Sequence, residues 1–128
     1  MEYFFSKIVP AEFADAIAMT KNALAAEGFG IISEIDMQGK LKEKLGVDFR
    51  KYTILGACNP SFAYEALQIE EKVGTMLPCN VVVIDRGDGT TEVAAVHPVA
   101  SMMAIQNAAL RSIASEVTEK LEKVINQL

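Results

Sequence analysis

Two cysteines and one histidine are the side chains of this sequence best suited to chemistry. Each cysteine is followed by asparagine: Cys58-Asn59-Pro60 closes one apolar run and Cys79-Asn80 opens another. A thiolate is a nucleophile and a soft metal ligand, an imidazole is a base or a borderline ligand, and a carboxamide both donates and accepts hydrogen bonds. Together, Cys58, Cys79 and His97 have the ligand types of a zinc or other soft-metal site with one open position. The same groups suit a redox pair, with a thiolate favoured by a neighbouring imidazolium and by the helix that starts at Asn59. With Asn59 and Asn80 added, the set reads as a polar lining for a small-molecule ligand. Packing competes with all three readings, because free cysteines are often buried as small hydrophobes. His97 before Pro98 also fits a loop edge, and Asn59 and Asn80 fit the caps of a helix and a strand.

Whether these groups meet depends on strand register. Gly87-Asp88-Gly89 is a hairpin turn, since glycine supplies the positive φ that such turns need. A three-residue loop pairs Arg86 with Thr90 and sets Cys79 opposite His97, whereas a two-residue loop over Asp88-Gly89 sets Asn80 there. If the strand ending at Cys58 runs antiparallel to the one starting at Cys79, the second thiol joins them.

The positioning elements follow from periodicity. Glu2 to Val9 reads as a strand stopped by Pro10. A helix begins at Ala11, with Phe13, Ile17 and Leu24 at helical spacing, and ends at Gly28 in a left-handed cap. Phe29 to Asp36 alternates as a strand, with Asp36 as an Asx-type turn residue. Gln38 to Leu45 is a short helix closed by Gly46, and Arg50 to Cys58 is the next strand. Asn59 as N-cap and Pro60 at the first turn begin a helix that carries Phe62, Ala66, Ile69 and Val73 on one face and meets Gly74. Asn80 to Asp85 and Thr91 to Val96 form the hairpin. A final helix over about Ala104 to Gln127 carries Leu110, Ile113, Val117, Leu121 and Ile125 as one stripe.

This order predicts a single α+β domain over 1–128: a two-layer sandwich of β-α-β(4)-α type, with a mainly antiparallel five-stranded sheet and two long helices on one face. The opening strand-helix-strand unit should cross over right-handed. Val81-Val82-Val83-Ile84 is apolar toward both faces, and helices cover only one. An identical subunit is the expected cover for the other, giving a homodimer.

Composition narrows the function. A formal charge of −5, with lysines and arginines interleaved with acids around Lys40 to Lys51, excludes a nucleic-acid binder. No apolar run approaches the roughly 18 residues of a membrane span, and no targeting signal is visible, so the expected location is the cytoplasm, where thiols stay reduced. Two cysteines are too few for a disulfide scaffold. No GxSxG, P-loop or GxGxxG occurs, and Met102-Met103 reads as core filler more readily than as thioether ligands. The sequence therefore reads as a ligand- or metal-binding module rather than an enzyme. Thiol redox through Cys58 and Cys79, or a purely structural homodimer, are the alternatives.

EGFGIISEID, LGACNP, AYEAL, LPCNVVV and HPVA occur in this order along most of the chain. Together they resemble the domain-of-unknown-function 302 family of small bacterial and archaeal proteins. The resemblance implies an α+β fold of the β-α-β(4)-α type and brings no established activity or catalytic residues. Many members resemble this chain at the Asn-Pro and Leu-Pro positions without both cysteines, which counts against a two-thiol mechanism common to the fold.

Overall fold

The computed structural model describes residues 1–128. Strands β1 (Phe4–Val9), β2 (Gly30–Asp36), β3 (Tyr52–Cys58), β4 (Cys79–Asp85) and β5 (Thr91–Val96) form one sheet in the order β1-β5-β4-β3-β2. Every neighbouring pair is antiparallel. The first connection therefore carries the chain from one edge of the sheet to the other, with helix α1 (Phe13–Ala26) between the two edge strands. Strand alternation sorts the two faces: Leu55, Val81, Val83, Val93 and Ala95 are fully buried beneath the helices. Their alternates Ile54, Val82, Ile84 and Ala94 are half-buried on the opposite face.

The helix layer is α1 with α5 (Ala108–Asn126), flanked by α3 (Pro60–Ile69). Leu24 of α1 and Leu110, Leu121 and Val124 of α5 join the strand residues in one contiguous core. Short helices α2 (Met37–Leu45) and α4 (Pro98–Ser101) fill connections. Caps follow the expected chemistry at several ends. Gly28 has φ +85 just past α1, Gly46 has φ +68 just past α2, and the Asp36 carboxylate accepts the Gly39 N–H at 3.1 Å.

Two helix boundaries differ from the periodicity. α3 stops at Ile69 because Glu70 is extended (φ −146), and a 3-10 turn over Glu71–Met76 follows. The break lets Val73 turn fully into the core while Ile69 stays at the surface, a split that one continuous helix could not achieve. The last helix begins at Ala108, not Ala104, since Asn107 caps it by accepting the Ala109 N–H at 3.1 Å. The same side chain donates to the Ile69 carbonyl at 3.0 Å, fastening the end of α3 to the start of α5. The stretch before it holds α4, which Pro98 opens at its first position.

Close approach at one glycine holds the β3–β4 end of the sheet. A Cβ on Gly56 would lie 2.7 Å from Pro78 Cγ and would collide with Ser33 Oγ. The serine can rotate away, but the proline ring cannot. Gly56→Ala is therefore expected to lower stability by about 1–3 kcal/mol, as overpacking does. Urea unfolding measures this, and a change below about 0.5 kcal/mol would show that Pro78 yields.

Candidate ligand cavity

The hairpin has the three-residue form: Arg86 N–H bonds the Thr90 carbonyl at 3.1 Å and Asp85 pairs with Thr91. β3 and β4 are antiparallel with Ala57 paired to Cys79, so both cysteines come to the same end of the sheet. Both line one cavity of about 240 Å3 between that sheet end, α3 and the first half of α5. Its wall is mainly apolar: Phe29 and Ala57 from the sheet side, Phe62 and Ala66 from α3, Ile113 and Val117 from α5. A register shift between Ile31 and Ser33 leaves Ile32 out of the pairing, 64% exposed, and Ile32 also borders the cavity.

The expected site residues divide. Cys58, Asn59 and Cys79 belong to the wall. Asn80 does not: the alternation that turns Cys79 inward sends Asn80 to the uncovered sheet face, beside Tyr3, Tyr52 and Val82. His97 is engaged elsewhere. Its ring stacks on Phe5, with centroids 4.8 Å apart and planes at 19°, and its Nδ1 faces the Ala100 N–H at 3.4 Å as the cap of α4. No three His, Cys, Asp or Glu side chains are grouped as a metal centre requires, so the expected Cys58–Cys79–His97 trio is not assembled. Nor are the two thiols bridged. Asn59 occupies the N-cap position of α3 but makes no side-chain capping bond. Its Nδ2 instead lies over Gly28, 3.1 Å from where a Cβ there would stand.

Electrostatics set the character of the wall. Burial pushes the Cys79 thiol from 9.0 up to about 11, and the nearby Cys58 adds in the same direction. Cys79 is thus an uncharged thiol at neutral pH and a poor nucleophile. No Asp, Glu, Lys, Arg or His lines this cavity. The arrangement can therefore hold an uncharged apolar group, with Asn59 able to supply hydrogen bonds.

Sequence reasoning missed most of this wall. Phe62 and Ala66 were legible as one helix face, but helical spacing cannot separate residues that fill a core from residues that border a void. Met102 packs against the core, as its sequence context suggests, and also borders the cavity.

The comparisons with known proteins agree with this architecture. The family model described as domain of unknown function DUF302 matches residues 5–128, and the chain belongs to that family. Among solved structures, the chain is similar to the crystal structure of an uncharacterized conserved DUF302 protein from Bacillus stearothermophilus. The two are 29% identical with a TM-score of 0.91, over 99% of this chain and 98% of that one. No curated protein matches. No helix is long and apolar enough to cross a membrane.

The raised Cys79 value has a measurable consequence. Folded Cys79 stays protonated where an unfolded thiol ionises, so its contribution to stability is complete below pH 9 and is lost as pH rises toward about 11. Across that window the wild type should lose about 2 kcal/mol more than Cys79→Ala. Equal pH slopes in urea unfolding would contradict the buried neutral thiol. In the native protein at pH 7, iodoacetamide should label half-buried Cys58 well before Cys79.

Proposed function

We propose that this protein is a small-molecule binding module whose ligand places an uncharged apolar ring or chain in the cavity beside Cys58 and Cys79. One observation carries the reading: the cavity is open to solvent, has an apolar wall, and is lined by no Asp, Glu, Lys, Arg or His side chain. An engineered apolar cavity of about 150 Å3 already accommodates benzene, so about 240 Å3 suits a group on the order of ten non-hydrogen atoms. Cys58, Asn59 and Cys79 serve as wall residues in this reading. Burial holds Cys79 neutral, which makes it a poor attacking thiol for exchange. Naphthalene is a suitable probe. It should raise the melting temperature of the wild type and fail to do so for Ala63→Phe, in which the new ring occupies the cavity. Absence of any wild-type shift at saturating naphthalene would refute the proposal.

A second reading concerns assembly. We infer that a second copy of the chain covers the open sheet face. The face carries half-buried Phe4, Val82, Ile84 and Val96, with Ile8 51% and Ile35 40% exposed. Five strands about 4.8 Å apart, each rising about 3.3 Å per residue, give a face on the order of 24 by 20 Å. Two such faces bury roughly 1,000 Å2, near the lower bound for a specific interface. Sedimentation velocity should find a dimer at tens of micromolar and a monomer for Val82→Arg. A wild-type monomer throughout that range would remove this reading.

A further inference from the structure

A second cavity of about 200 Å3 adjoins the first, and the two share Met102, Leu110 and Ala114 as walls. Met102 lies between α4 and α5 and is half-buried. An unbranched thioether with three rotatable bonds makes an adaptable partition, able to swing aside where a β-branched side chain would not. Unlike the first, the second cavity has a charged side chain in its wall, Arg111.

Arg111 has no acidic partner. It enters none of the four ion pairs of the molecule. Its neighbours three and four positions away on α5 are Asn107, Ala108, Ala114 and Ser115, none of them acidic. A guanidinium is permanently charged and presents a planar fork of donors that matches a carboxylate. Here that fork lines one of two adjoining cavities, the other of which is lined by no Asp, Glu, Lys, Arg or His side chain.

We propose that the joined cavities take an amphiphilic carboxylate, its carboxylate paired with Arg111 and its chain running past Met102 into the cavity beside Cys58 and Cys79. This rests on the cavity reading above; it adds the chemical class of the ligand and assigns Arg111 as the residue that selects it. A neutral analogue would fill the same apolar space but leave the guanidinium in water, and a cationic amphiphile would meet like charge.

Decanoate, decanol and decyltrimethylammonium, each below its micellar concentration, are titrated calorimetrically into the wild type and into Arg111→Gln at low and high salt. Decanoate should bind about tenfold more tightly than decanol, with the ammonium weakest. The preference should shrink at high salt, because the pair is solvent-exposed. In R111Q the preference should vanish while decanol binds as before. Equal wild-type affinities for decanoate and decanol, or a carboxylate preference that survives in R111Q, would overturn the assignment. Naphthalene, which needs only the first cavity, separates the two levels. Naphthalene binding without carboxylate preference leaves the cavity reading standing and removes this one. Loss of binding by both naphthalene and the decyl compounds removes both.

Discussion

The packing of α5 across the sheet is the constraint on which the rest of the structure depends. In its second half the helix seals the core: Leu121 and Val124 are fully buried and Ile125 nearly so, against a sheet face of valines and leucine. In its first half it borders a space walled by Phe29 and Ala57 on the sheet side and by Phe62, Ala63 and Ala66 of α3, which these side chains do not fill. Close packing at one end and incomplete packing at the other leave a cavity at the sheet end where the cysteines lie. A packing defect of this kind sacrifices dispersion contacts and apolar burial along its lining. The well-filled half of the same helix supplies the stability that lets the cavity exist.

Chemistry at this sheet end is governed by what burial does to charge. Thiols, carboxamides and an imidazole look reactive when written as a sequence, but reactivity requires ionisation and convergence. Burial holds Cys79 neutral. The imidazole of His97 is committed to Phe5 and to the start of α4. What remains is an apolar surface relieved by thiols and one amide, suited to recognition by shape and hydrophobicity. One unpaired charge, Arg111, lines the adjoining cavity, and Met102 borders both.

The open face of the sheet is the complementary feature. A two-layer sandwich with its helices on one side leaves the alternate residues of every strand without cover, and here they include Phe4, Val82, Ile84 and Val96. Edge and face belong to the same sheet that carries the cavity. Gly56 illustrates this: it is enclosed by Ser33 and Pro78, and its strand neighbours Ala57 and Cys58 line the cavity.

Local sequence determined a large part of the protein. Alternation identified the strands, glycines after Glu27 and Leu45 marked helix ends, and Gly87-Asp88-Gly89 marked the hairpin turn while leaving two registers open, because each depends on the φ preferences and side-chain period of a few adjacent residues. The Asn107 cap was also legible, as an asparagine immediately before an Ala-Ala-Leu helical start, yet the long apolar stripe drew the helix four residues further back. Tertiary structure alone decided the site. Which of Cys58, Asn59, Cys79, Asn80 and His97 converge depends on the face each takes at a strand end. The kink at Glu70 depends on Val73 reaching a core assembled by distant elements. A void, finally, belongs to no residue: it is the space that side chains from α3, α5 and the sheet together fail to fill, and no local pattern records it.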